Sequence, residues 1–120
     1  MSTAENRKLF ANNILEVYNT YSLDGIDIDW EYPGSVGDSG NTHSPEDTTN
    51  FLKFLGVLRA TLPISAKISA AAQTIPFLGS DGDPIMDSSP FAALLDWVLI
   101  MNYDTWQCEF HAQTISSGSN

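Results

Sequence analysis

The tightest constraint on the fold is an order: helical and strand patterns take turns along the chain three times over. Ser2 with Glu5 forms a capping box, and Phe10, Ile14, Val17, Tyr18 and Tyr21 then recur at helical spacing, which predicts an amphipathic helix running to about Tyr21. Ile26, Ile28 and Trp30 alternate with Asp27, Asp29 and Glu31, the period of two of a strand with one apolar and one acidic face. Tyr32, Pro33 and Gly34 end that strand, and the Gly-, Ser- and Asp-rich residues 35–43 read as an exposed loop. Ser44, Pro45 and Asp47 start a second helix, with Phe51, Phe54, Leu55, Leu58 and Leu62 as its buried stripe and Pro63 as its stop. Lys67 to Gln73 is a short strand of small residues, Thr74 to Ser89 a long loop, and Pro90 to Leu95 a helical turn. Trp97 to Tyr103 is a largely apolar run suited to a buried parallel strand, and Trp97 is expected in the core. An α-β-α-β-α-β order predicts an α/β fold with parallel strands and helices covering the sheet. In such sheets the active site lies at the carboxyl ends of the strands. Glu31, Gln73, Tyr103 and Asp104 are there.

At 120 residues the chain can build one modest core, and it is too short for a complete eight-stranded α/β barrel, which takes about 250 residues. Fifteen acidic side chains against five basic ones, a formal charge of −10, argue against a nucleic-acid or anionic-membrane partner. A hydrophobic content of 42% with only 17% charged residues argues for a folded domain. The single cysteine, Cys108, excludes an internal disulfide and a cysteine-based zinc site. Residues 1–8 hold no apolar stretch of an export signal, and no apolar run reaches the length of a membrane span. A cytosolic chain, or a true start further upstream, is expected.

Asp27, Asp29 and Glu31 stand at i, i+2 and i+4 of one strand, so neighbouring carboxylates leave the same face about 6.5–7 Å apart. Three carboxylates in a partly dry crevice cannot all ionise cheaply, so they are expected to share protons as one coupled set. That keeps a proton available for general acid catalysis. Glu31, outermost and longest, is expected to hold the proton that reaches a substrate, with Asp29 and Asp27 sharing a second. Asp-x-Asp-x-Glu could also offer hard oxygen ligands, yet Ile28 and Trp30 build a strand where a calcium loop needs a glycine turn. Metal binding is therefore expected well below hydrolysis.

The run Asp24-Gly25-Ile26-Asp27-Ile28-Asp29-Trp30-Glu31 resembles, position for position, the D-G-x-D-x-D-x-E signature of glycoside hydrolase family 18, the chitinases and their relatives. Tyr32-Pro33 and Met101-Asn102-Tyr103-Asp104 resemble that family's flanking Tyr-Pro and its M-x-Y-D segment on the sixth barrel strand. Ser69 to Pro76 is similar to the fifth strand of fungal-type members. The resemblance implies a parallel (β/α) barrel of the TIM type, of which this chain carries about strands four to six. It implies that Glu31 is the acid/base, that Asp29 orients the substrate's N-acetyl group, and that Asp27 trades a proton with it. Tyr103 would hydrogen-bond the acetamido oxygen as that oxygen attacks the anomeric carbon. Asp104, Tyr32, Gln73 and Met101 are candidate substrate contacts, and Asp24 and Gly25 brace the motif. The substrate's own acetamide replaces a second carboxylate nucleophile, which makes this family an exception to the two-carboxylate scheme, and the resemblance implies no metal site and no cofactor.

On the same resemblance the ligand is chitin or an N-acetylglucosamine oligosaccharide, and the intact protein is extracellular. Residues 1–106 are expected to form the partial catalytic domain. Residues 107–120 form a polar tail with no strand pattern and no clear counterpart in the family. Upstream strands and the last two strands, including the tryptophan that floors the central sugar subsite, have no counterpart in this sequence. Three readings therefore stand together: a hydrolase of β-1,4-linked N-acetylglucosamine polymers, a carbohydrate-binding module without turnover, and an inactive truncated product. Retention of Glu31 favours the first. Three parallel strands with two open edges would also be prone to association.

Overall fold

The computed structural model describes residues 1–37, 42–75 and 77–103. The elements run α1 (Ala4–Thr20), β1 (Gly25–Ile28), α2 (Asp47–Thr61), β2 (Lys67–Ala72), α3 (Ser89–Ala92) and β3 (Trp97–Ile100). The three strands form one parallel sheet in the order β1-β2-β3, so β2 is central and the other two are edges among the described residues. That is the α/β architecture the alternating pattern predicts.

The two long helices begin where side chains satisfy free backbone N–H groups. Thr3, one residue beyond the expected Ser2, caps α1 by accepting from the Asn6 N–H at 3.2 Å. Before α2, the Ser44 hydroxyl accepts from the Glu46 N–H at 3.2 Å, and Asp47 Oδ2 accepts from the Ser44 N–H at 2.7 Å. The expected stripe of α2 is the core itself: Phe51, Phe54, Leu55, Leu58 and Leu62 are all buried, facing Ile68 and Ala70 of β2. Each such side chain contributes about 1.5–3 kcal/mol by leaving water. The stripe of α1 is narrower than predicted. Ala11 is buried and Ile14, Leu15 and Tyr18 pack on the core, but Phe10, Val17 and Tyr21 are exposed, although Phe10 still stacks on Phe54. The described helix that α1 packs against is α2, so its apolar face is wider than the surface available to cover it.

The long loop before α3 feeds the core as well. Phe77 stacks on Phe91 with ring centroids 4.0 Å apart, and both lie 6.0 Å from Phe51. Below the sheet, Asp96 ties α2 to β2 and β3. Its carboxylate accepts from the Ile68 N–H at 3.0 Å, from Lys67 Nζ at 2.9 Å and from Arg59 Nη2 at 2.8 Å. Arg59 also donates to the carbonyls of Leu94 and Ala66. The Ile68 N–H foremost, then Lys67 and Arg59, hold the Asp96 carboxyl well below the usual carboxylate range.

The third strand departs from expectation. Trp97, Val98, Leu99 and Ile100 were expected to be buried, and Trp97 to be core, yet they are 37–55% exposed. β3 pairs with β2 on one side only, and its apolar side chains lack cover among the described residues. It also ends at Ile100 rather than Tyr103, and β2 ends at Ala72 rather than Gln73.

Candidate active site

Parallel register decides which side chains share a face. Ile26 pairs with Ile68, and Ile28 with Ala70 and so with Val98, on the helix side; Asp27 pairs with Ser69 and so with Trp97 on the opposite side. The acidic face therefore looks away from α2. Close strand approach at its start depends on Gly25, where a Cβ would stand 2.5 Å from the Lys67 carbonyl oxygen and 2.8 Å from Lys67 Cβ. Asp24, just before it, accepts the Lys67 N–H on its backbone carbonyl at 3.0 Å, which starts the ladder.

Asp27 is the one acidic residue of the run that lies within β1. Ser69, itself buried, donates its hydroxyl to Asp27 Oδ1 at 2.5 Å. Sequence reasoning missed Ser69 as a partner, since only the register places it opposite Asp27. The ladder then stops at Ile28, so Asp29 and Glu31 stand beyond the strand rather than on it, a correction to the continuous strand that the alternation predicts. All three carboxylates are exposed, and the partly dry crevice expected around them is not formed by the described residues. Asp27, Asp29, Glu31 and Tyr32 instead line an open cleft of about 910 Å³, with Trp30 and Phe10 on its apolar wall.

Tyr32 lines the cleft beside Glu31. Partial burial foremost, and then the nearby Glu31 carboxylate, push the Tyr32 ionisation above the ordinary tyrosine value, while Gln73 acts in the opposite direction. Met101 is 7% exposed and donates its N–H to the Ala72 carbonyl at 2.8 Å, extending the sheet by one residue. Tyr103, two residues on, is 60% exposed. Asp104 and residues 107–120 lie outside the described residues. His43 is exposed in its loop. Among the described residues no group of three or more His, Cys, Asp or Glu side chains is placed to hold a metal ion, and no helix is long and apolar enough to cross a membrane.

A carboxyl group and a phenol at the mouth of an open cleft can donate a proton to, and hydrogen-bond, a bound oxygen-rich ligand. The sequence matches the family profile described as Glycosyl hydrolases family 18 over residues 1–117. It is 42% identical over 106 residues to a chitinase-like effector of Moniliophthora roreri, covering 88% of this chain and 26% of that protein. It is 32% identical over 112 residues to Chitinase A1 of Niallia circulans, covering 88% of this chain and 16% of the enzyme. The crystallised chitinase RmChi1 of Rhizomucor miehei superposes with a TM-score of 0.79 at 33% identity, over 86% of this chain and 33% of the enzyme chain. The chain thus spans about a quarter or less of these two curated relatives and a third of that crystallised chain. The parallel sheet with its helices corresponds to part of the barrel of such enzymes.

Proposed function

Because the chain belongs to glycosyl hydrolase family 18 and is chitinase-like, we propose that it carries the catalytic strand ends of a hydrolase of β-1,4-N-acetylglucosamine linkages. The observation that carries this reading is the parallel register, which sets Asp27 beside Ser69 and brings the residues that follow β1, β2 and β3 to one end of the sheet. Residues 1–106 are then the part of the catalytic domain that holds barrel strands four to six, and residues 107–120 a tail. The intact protein acts outside the cell on chitin or its oligosaccharides.

In the reaction, the Glu31 carboxyl protonates the glycosidic oxygen while the bond from that oxygen to the anomeric carbon breaks. The substrate's acetamido oxygen attacks that carbon from the opposite face, and its ring-closed oxazolinium ion carries the positive charge. Asp29 orients the acetamide and faces the charge on its nitrogen, and Asp27, hydrogen-bonded by Ser69, exchanges a proton with Asp29. Tyr103 donates to the attacking oxygen. Glu31, now a carboxylate, takes a proton from water as water opens the ring, and two inversions retain the configuration. Tyr32, Gln73, Met101 and Asp104 contact the sugar.

The exposure of all three carboxylates favours a second reading, sugar binding by this chain without turnover. A fluorogenic chitooligosaccharide separates the two. Under the first reading Glu31→Gln lowers hydrolysis by about 10²-fold or more, the usual contribution of a general acid. Hydrolysis untouched by that substitution rules Glu31 out as the acid. Binding of N-acetylglucosamine oligomers with no hydrolysis by the unmodified chain supports the second.

A further inference from the structure

Glu31 lies three residues past the end of the β1–β2 ladder, so strand pairing does not fix it. Two other contacts bound the segment. On the helix side, Trp30 packs edge-on against Phe51 with ring centroids 5.5 Å apart. Past Glu31 the chain turns at Tyr32–Ser35, where the Ser35 N–H donates to the Tyr32 carbonyl at 3.3 Å, and returns so that Gly37 lies directly on the Glu31–Tyr32 peptide. A Cβ at Gly37 would overlap the Glu31 carbonyl oxygen and would stand 2.9 Å from the Glu31 carbonyl carbon and 3.3 Å from the Tyr32 nitrogen. These are backbone atoms, which cannot swing aside as the end of a flexible side chain can. A bare Cα seated there suits a Cα–H···O contact to the carbonyl. No other residue type fits without moving the peptide from which the Glu31 side chain departs.

We propose that Gly37 is a positioning residue for Glu31: its bare Cα seats on the Glu31–Tyr32 peptide and sets the direction in which the Glu31 carboxyl leaves the end of β1. The catalytic part of this inference rests on Glu31 being the acid. Gly37 itself touches no substrate. Adding a methyl group displaces the peptide, and a displacement of about 1 Å in a catalytic group can cost about a hundredfold in rate.

Two measurements on the 120-residue chain test the positioning directly, without turnover. In the unmodified protein, NMR should show an Overhauser contact between the Gly37 α-protons and the Tyr32 amide proton; its absence overturns the proposal, whether or not any variant folds. In Gly37→Ala, the Glu31 side-chain carboxyl carbon and the Tyr32 ring signals should move while the methyl signals of Leu55 and Ile68 hold. A folded Gly37→Ala protein whose Glu31 and Tyr32 signals stay put also overturns it. Turnover tests the catalytic part. With a fluorogenic chitooligosaccharide, kcat should fall about tenfold to a hundredfold in Gly37→Ala while KM stays within about twofold, the pattern of a misdirected acid rather than lost binding. An unchanged kcat refutes the inference. If Glu31→Gln leaves hydrolysis unchanged, or the unmodified chain turns nothing over, the functional reading fails instead, and the NMR results alone decide the positioning.

Discussion

Gly25 and Gly56 give substitutions of the same chemistry with opposite expected signs. At Gly25, β1 would have to withdraw by about 0.9 Å for an added Cβ to relax from 2.5 Å to an ordinary 3.4 Å contact with the Lys67 carbonyl oxygen. Asp27 is two residues further along, and a withdrawal transmitted that far would stretch its 2.5 Å bond from Ser69 to the limit of hydrogen bonding. Overpacking of this kind costs about 1–3 kcal/mol, offset by about 0.4–1 kcal/mol because alanine restricts the unfolded chain. Gly25→Ala should therefore destabilise by about 1–2 kcal/mol and lower the melting temperature by roughly 4–8 °C in a domain of this size. Gly56 stands inside α2, where a Cβ meets nothing within 4 Å. Gly56→Ala should stabilise by up to about 1 kcal/mol through helix propensity. Urea unfolding of both variants beside the unmodified chain measures the pair. Equal stability of the two variants would refute the claim that space against Lys67, rather than backbone freedom, requires glycine at position 25.

The Asp96 cluster predicts a pH dependence. A carboxylate whose folded pKa is depressed adds stability that is fully present above its ordinary value near 4 and fades as pH falls below it. Thermal melts between pH 3 and 6 should show a steeper acid loss for the unmodified chain than for Asp96→Asn, and equal slopes would remove Asp96 from the account. The exposed edge strand predicts concentration-dependent association, read by sedimentation velocity. Leu99→Lys should lower it, because a charge on an apolar edge opposes strand addition, and unaltered association would mean that β3 is not the contact.

What could be read in the sequence was whatever repeats with a period. The stripe of α2 was legible because a helix buried along one side must return an apolar residue every three or four positions, and it does so from Phe51 to Leu62. The acidic alternation placed Asp27 correctly on one face, but it ran on past the hydrogen bonds. Alternation reports which face each side chain takes, whereas the end of a strand is set by where its neighbour stops pairing, here Ile28 against Ala70. β3 looked like a buried strand because an apolar run predicts burial only where something covers it. Phe77 carried no signal, since a single aromatic in a long loop has no period. Ser69 opposite Asp27 and Gly37 against Glu31 depend on register and on empty space, and neither leaves a mark in the order of residues.

Placement and environment of the acidic face are separate physical problems. The strands are fixed from behind, by Phe51, Phe54, Leu55 and Ile68, which are buried whatever lies in front of the carboxylates. Their order and register alone bring Asp27 beside Ser69 and the residues after β1, β2 and β3 to one end of the sheet. Desolvation, which gives a carboxyl group its catalytic proton affinity, depends on what stands in front, and there Asp27, Asp29 and Glu31 are open to water. A substitution behind the sheet should thus disturb folding and the site together, while one in front touches the chemistry alone. Trp30 is where the two meet. It belongs to the acidic run, one residue from Asp29 and one from Glu31, yet its ring packs on Phe51 in the core. Through that contact the packing of α2 reaches the carboxyl group that stands beyond the end of its strand.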